Sequence, residues 1–84
     1  MITKSEFIKE INRAIETKPA SWRKGQAVFN YIDKKYGVSR DVQFHKGIDC
    51  FHNDDMIQSF INAAYELIKN GNVHDYPGNN MIEE

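Results

Sequence analysis

The residue types that could do chemistry are concentrated in one short segment, residues 45 to 55. It contains two histidines, three aspartates and the single cysteine, namely His45, Asp49, Cys50, His52, Asp54 and Asp55. Imidazole, thiolate and carboxylate groups are the usual protein ligands of zinc and related transition metals. Their spacing here matches no established ligand pattern, and two of the aspartates have an adequate role at a helix start. We therefore predict no metal site and no cofactor.

The same segment contains the elements of a nucleophile and a general base, Cys50 with either His45 or His52. Such a pair also needs a residue that orients the base and a group that stabilises an oxyanion, and the sequence supplies neither. An isolated cysteine more often packs as a small apolar side chain. We predict no catalytic residue and no enzymatic activity.

A second polar set lies in the stretch WRKGQAVFNYI, residues 22 to 32, which has helical periodicity but contains a glycine. Gly25 costs a helix about 1 kcal/mol relative to alanine, so we expect another backbone to pass close to it. Arg23, Gln26 and Asn30 share one sector of this helix, because steps of three, four and seven residues return to nearly the same direction. An arginine and two amides can pair with the backbone of an irregular loop.

The loop expected to cross Gly25 is GIDCFHND, residues 47 to 54. Asp49 is the predicted carboxylate for Arg23, and Phe51 is the predicted apolar anchor. Two interpretations of the polar set stay open: a structural clasp between loop and helix, or a site that faces a peptide or nucleotide partner. The set consists of Arg23, Gln26, Asn30, Asp49, Phe51 and Asp54.

These two motifs together carry a family resemblance. The pattern R-x-G-Q-x-x-x-N, followed some 20 residues later by D-C-F-x-x-D, resembles small uncharacterised proteins of bacteriophages and of bacterial genomes that carry them. The resemblance covers residues 22 to 64, and His52 departs from the tyrosine expected after the phenylalanine. It implies a small helical fold and a phage-linked setting, and it implies no particular reaction.

The first helix must begin near Thr3, which forms a T-x-x-E capping box with Glu6. Ile2 and Phe7 occupy the two positions of a hydrophobic staple. Apolar residues then recur every three or four positions over about 14 residues, as on one face of a helix, until Pro19.

A second helix is predicted from an N-cap at Ser21 to about Tyr36, closed by Gly37. A short third helix, roughly residues 40 to 46, is capped by Ser39 and buries Val42 and Phe44.

The fourth helix begins at the N-cap Asn53 and ends before Gly71. Its inner face is predicted to be Ile57, Phe60, Ile61, Ala64, Leu67 and Ile68. The sequence therefore predicts an all-α, compact single domain of three main helices plus one short helix over residues 1–71. Residues 72–84, which contain Pro77 and Gly78, are predicted to form a loosely ordered, flexible tail.

Charge and cysteine content limit the setting. Eleven lysine and arginine residues stand against 12 aspartate and glutamate residues, so no global field draws the chain to nucleic acid or anionic lipid. A single cysteine cannot form an intramolecular disulfide, which fits a reducing compartment. The opening MITKSEFIKE lacks the apolar core of a signal peptide, and no segment is long and apolar enough to span a bilayer. We expect a protein of the bacterial host cytosol with no membrane partner.

Residues 32–46 resemble the turn of a helix-turn-helix DNA reader, with a helix, then G-V-S, then a helix that begins with arginine. Asp33 stands where such readers have a small residue, and Gln43 stands where they have an apolar one. Lys34, Lys35, Arg40 and Lys46 could still contact phosphates, although lysines on a solvated face are common.

A surface that combines Trp22 or Tyr31 with Arg13 or Lys24 is instead suited to protein binding. The near-neutral charge, the small size, the absence of a catalytic constellation and the resemblance together lead us to expect a non-catalytic, phage-linked accessory protein that binds a host or phage protein, with a host-takeover or anti-defence role. The alternative is a small DNA-binding regulator that uses residues 32–46.

Overall fold

A computed structural model describes residues 2–71 and contains four α-helices. Three of these helices have 13 residues each, and the remaining one has 7. In chain order they are α1 (Lys4–Glu16), α2 (Lys24–Tyr36), α3 (Ser39–His45) and α4 (Ile57–Lys69). No strand occurs within residues 2–71. The prediction of an all-α fold with three main helices and one short helix is confirmed, whereas the predicted tail, residues 72–84, lies outside the described residues.

The start of α1 follows the predicted capping box. The Thr3 hydroxyl accepts a hydrogen bond from the Glu6 amide at 3.1 Å, and the Thr3 amide donates to the Glu6 carboxylate at 3.1 Å. Phe7 and Ile11 on this helix are fully buried. The Tyr65 hydroxyl donates to the Ile2 carbonyl at 2.9 Å, so α4 holds the entry to α1 in place.

The predicted N-cap of α2, Ser21, is wrong. Trp22 donates its amide to the Pro19 carbonyl at 3.0 Å, and this turn delays the helix until Lys24, with Arg23 at the cap position. At its other end α2 stops as predicted, because Gly37 adopts the left-handed conformation at φ 71° and donates its amide to the Asp33 carbonyl. Few other residues tolerate that backbone conformation.

Ser39 is likewise not a cap but the first residue of α3, after Val38 at the cap position. Its hydroxyl is fully buried and donates to the Phe29 carbonyl at 2.7 Å, joining α3 to α2. The predicted burial of Phe44 is also wrong, since 71% of the residue is exposed. A helix of two turns presents only a narrow face to the core, and Val42 occupies it.

The entry to α4 is longer than predicted. Asn53 caps as expected, with its side chain accepting from the Asp55 amide at 3.0 Å, but the turn that follows, Asp54–Met56, is a 3₁₀ helix. It leads into α4 at Ile57.

Helices α2 and α4 are central, because each packs against the other three helices and against the 3₁₀ turn. The core draws buried apolar side chains from every helix and from the connecting segments: Phe7, Ile11, Val28, Phe29, Ile32, Val38, Val42, Cys50, Phe60, Ile61, Ala64 and Ile68. None of the helices in residues 2–71 has both the length and the apolar character needed to cross a bilayer.

Candidate functional site

The loop before α4 crosses the first turn of α2 at Gly25. A Cβ atom at residue 25 would overlap the carbonyl oxygen of Cys50 and would lie 2.9 Å from Oδ1 of Asp54. The Cys50 thiol donates back to the Gly25 carbonyl at 3.4 Å. The helix therefore needs a residue without a side chain at this position, and the backbone contact expected from the sequence is present.

The start of α2 obtains its cap from a distant part of the chain. Arg23 forms no side-chain cap, so the first amides of the helix lack a local acceptor. Oδ1 of Asp54 accepts from the Gly25 amide at 3.0 Å. Asp54 is also the first residue of the 3₁₀ turn before α4, so one carboxylate supplies negative charge at the start of two helical segments.

Arg23 holds the same loop from the other side. Its guanidinium donates to the Phe51 carbonyl at 2.7 Å, and its Nε lies 3.9 Å from Oδ1 of Asp54. The predicted pairing of Arg23 with Asp49 is wrong, because Asp54 is the carboxylate beside it. Below this contact the Phe51 ring packs edge-on against Phe29, with 5.3 Å between ring centroids. We call Arg23, Gly25, Phe51 and Asp54 the clasp.

Asp49 organises the loop internally instead. It accepts hydrogen bonds from the Phe51 amide at 2.9 Å and from the Gln43 side chain at 3.1 Å, and His52 lies 2.9 Å away. Burial alone would raise the pKa of Asp49, but the hydrogen bonds from His52, Gln43 and the Phe51 backbone outweigh it and lower that pKa. Asp49 therefore stays ionised and fixes the turn that presents Phe51.

The two amides of the predicted polar set do not join the clasp. Within residues 2–71, no hydrogen bond connects the side chain of Gln26 or Asn30 to the loop. Asn30 instead lines a groove between α1 and α2. Sharing a helix sector with Arg23 therefore did not give either amide a hydrogen bond to the loop.

The chemistry-bearing segment does not assemble a cluster. In the part of the chain that the structure describes, no three His, Cys, Asp or Glu residues are placed to hold a metal ion. Burial and the nearby Asp49 charge raise the pKa of the Cys50 thiol to about 12. The thiol therefore remains protonated at neutral pH, which disfavours Cys50 as a nucleophile.

A groove of about 600 Å³ runs between α1 and α2. Ala14 of α1 and Ala27 of α2 both line it, and these small side chains leave the space unfilled where the helices face each other. Trp22 and Tyr31 add aromatic surface, and Pro19 adds an apolar ring. We call this feature the α1–α2 groove.

The charged residues of the α1–α2 groove are mostly cationic. They are Lys9, Arg13, Lys18 and Lys34, together with one acid, Glu10. Arg13 thus shares the groove with Trp22 and Tyr31, as the sequence suggested, whereas Lys24 is not among the lining residues.

Glu10 is the centre of a hydrogen-bond cluster that the sequence reading missed. Its Oε1 accepts from the hydroxyls of Tyr31 and Tyr36, each at 2.9 Å, and Lys35 donates to its Oε2 at 3.3 Å. Burial alone would raise the pKa of Glu10, but these three donors outweigh it and lower that pKa. Burial and the adjacent carboxylate raise the pKa of both tyrosines. The signal available in the sequence was the position of Glu10 three residues after Phe7, beside the apolar stripe.

The segment considered as the alternative, a degenerate helix-turn-helix at residues 32–46, contains the end of α2 and the whole of α3, joined by a tight turn at Gly37 and Val38. Asp33 is buried, and its Oδ2 lies 3.9 Å from the Nε of Arg40, whose side chain is 61% exposed. Helix α3 also carries Asp41 and the exposed Phe44. An acid and a bare aromatic ring on this helix are poorly suited to a phosphate backbone.

Comparison with known proteins adds no relative: no family model, curated protein or solved structure matches the chain.

We predict that Gly25→Ala destabilises the protein by roughly 1 to 3 kcal/mol, because the new methyl group overlaps a backbone carbonyl that cannot move without opening the clasp. At an ordinary helix position the same substitution stabilises by about 1 kcal/mol, so the sign of the change is diagnostic. Urea denaturation at neutral pH measures it. The exposed α1 substitution Asn12→Ala is the control and should cause no loss; an equally stable Gly25→Ala would contradict the close crossing.

A matched pair of aspartates tests the distant cap. Asp54→Ala removes the acceptor of the Gly25 amide, whereas Asp55→Ala removes a neighbouring charge from the same 3₁₀ turn. We expect Asp54→Ala to cost about 1 kcal/mol more than Asp55→Ala. Equal losses in the two variants would show that only the helix-start charge matters.

The Glu10 cluster should make stability depend on pH. Because the folded-state pKa of Glu10 lies below its ordinary value, its contribution is fully present above that ordinary value and is lost as pH falls through the folded pKa. We expect Glu10→Gln to cost about 1 kcal/mol at pH 7 and the gap from wild type to narrow at about pH 3.5. Urea denaturation at both pH values checks this, with the exposed Glu16→Gln as control. A gap that widens in acid would refute the assignment.

Proposed function

We propose that this protein acts without catalysis, by binding a protein partner in the α1–α2 groove. The observation that carries the proposal is the groove itself, an unfilled, largely apolar hollow of about 600 Å³ with aromatic walls and charged edges. The motif resemblance supports a phage-linked accessory role, in which the partner is a host or phage protein and binding serves host takeover or anti-defence.

The composition of the groove suits a protein segment. Trp22 and Tyr31 are rigid side chains that offer large contact area and lose little conformational entropy on binding. Ala14 and Ala27 leave room for an incoming apolar side chain, whose transfer from water favours association. Aromatic residues with nearby cations are the types that contribute most at protein interfaces.

The clasp supports the other interpretation of the polar set, a structural one. The Arg23 guanidinium is bonded to the Phe51 carbonyl, and Asp54 is bonded to the Gly25 amide. These groups satisfy each other, although the side chains of Arg23 and Asp54 remain 53% and 43% exposed. On this basis our proposal assigns the clasp to the scaffold and the binding role to the α1–α2 groove.

A blocked variant tests the proposal. Ala14→Leu places a larger side chain in the groove from a half-exposed position and should leave the fold intact. In affinity capture from bacterial lysate, before and after phage infection, we expect the wild-type chain to retain one protein in equal amount and Ala14→Leu to lose it. Ser59→Leu adds the same bulk to exposed α4 surface and should retain the partner. Capture that is unaffected by Ala14→Leu, or that recovers nothing specific, would overturn the proposal.

A DNA-binding regulator is the second candidate, favoured by the exposed Arg40 and Lys46 at the two ends of α3 beyond the Gly37 turn. This candidate predicts affinity for duplex DNA that falls steeply with salt and disappears in the double variant Arg40→Gln, Lys46→Gln. Fluorescence anisotropy with a labelled duplex measures it. The double variant Lys4→Gln, Lys69→Gln, which removes the same charge elsewhere, should bind as wild type. Salt-insensitive or absent DNA binding would contradict this candidate.

A further inference from the structure

The charge of the α1–α2 groove identifies the chemistry of its occupant, if the groove is the binding site proposed above. We infer that it binds an acidic peptide segment of the partner protein, with an apolar side chain inserted between Trp22 and the two alanines. The segment would carry aspartate or glutamate residues on both sides of that anchor.

The groove has an excess of cationic residues, although the chain as a whole has nearly equal numbers of cationic and acidic residues. Within residues 2–71, four of the 11 lysine and arginine residues line the groove, but only one of the nine acidic residues does. Lys9 and Arg13 lie one turn apart on α1, and Lys34 lies across the groove on α2. A segment between the helices would therefore meet positive charge from both sides, which selects a negatively charged partner.

These cations are not used within the described fold. In residues 2–71, the side chains of Lys9, Arg13, Lys18 and Lys34 take part in none of the ion pairs or side-chain hydrogen bonds. The single acid of the groove, Glu10, accepts hydrogen bonds from two tyrosines and forms an ion pair with Lys35, whose positive charge offsets its own. The field in the groove is therefore positive and available to a ligand.

The uncharged lining favours a peptide over a nucleic acid. Thr17 and Asn30 are the uncharged polar residues of the lining, whereas Ala14, Ala27 and Pro19 offer no side-chain hydrogen bonds to base edges and fit an apolar side chain. The near-neutral chain also lacks the broad positive field by which proteins attract a polyanion. An acidic segment with an apolar anchor satisfies both the rim and the interior of the groove.

The chain provides its own reporter, because Trp22 is the only tryptophan and it lines the groove. The probe is a 12-residue synthetic peptide of glutamates interrupted by leucine and phenylalanine. This peptide contains no tryptophan, so the observed emission comes from Trp22 alone. Titrated into the full chain at low salt, it should shift the Trp22 emission with a dissociation constant of about 1 to 100 µM. The matched peptide with glutamine for glutamate should bind at least about tenfold more weakly. No change in emission, or equal binding of both peptides, would overturn the inference.

Charge reversal locates the binding in the groove. The double variant Arg13→Glu, Lys34→Glu should weaken binding of the acidic peptide by about tenfold or more, with circular dichroism and melting unchanged. The double variant Lys4→Glu, Lys69→Glu makes the same change of net charge outside the groove and should stay within about threefold of wild type. If both double variants weakened binding equally, the effect would depend only on net charge, and the inference would be overturned.

A further comparison separates this inference from the proposed function. Tighter binding of a single-stranded oligonucleotide of equal charge, displaced by Ala14→Leu, would overturn the choice of a peptide. If the acidic peptide fails while Ala14→Leu still abolishes capture of a partner, the groove binds a protein of other chemistry and only the inference is wrong. If both fail, the proposed function is wrong as well.

Discussion

The fold depends on one close approach between two backbones, that of the loop carbonyl at Cys50 and that of Gly25 in α2. A helix that lacks its own N-terminal cap accepts one from Asp54, and that carboxylate is within reach only because the loop lies directly on the helix. The same contact places Phe51 against Phe29 and sets the direction of the chain into α4. Helix α2 packs against every other helix, so this crossing is connected directly to the rest of the core.

Much of this architecture could be predicted from the sequence, because it rests on local patterns. Apolar periodicity gives the helices, the Thr3 and Glu6 pair gives the first helix start, and a glycine inside a helix indicates a crossing segment. The failures share a physical cause. Whether Asp49 or Asp54 meets Arg23 depends on the path of an irregular loop, and whether the Ser39 hydroxyl caps its own helix or bonds Phe29 depends on tertiary contact.

The candidate site was harder to predict than the fold. Sequence pattern suggested an aromatic and cationic surface near Trp22, but the lining of the hollow combines small side chains, Ala14 and Ala27, from separate helices. The sequence of one helix does not indicate which residues of another helix will lie beside it. Glu10 was missed for a related reason, since its two tyrosine donors come from a helix that is more than twenty residues away in sequence.

The polar side chains of the clasp and those of the α1–α2 groove therefore have different roles. Those of the clasp are bonded to each other and hold the loop, whereas the lysines and arginine of the α1–α2 groove are left to the solvent side of the helices. Glu10 belongs to the groove lining as well, and its hydrogen bonds from Tyr31, Lys35 and Tyr36 join α1 to α2.

The burial of Cys50 makes its thiol a probe of local opening in this protein. Its sulfur is sealed between the loop and α2, so a thiol-modifying reagent can reach it only in the moments when the two separate. The labelling rate then reports how often that separation occurs. Comparing the free energy of this opening with that of global unfolding would show whether the loop leaves α2 on its own or only when the entire core unfolds.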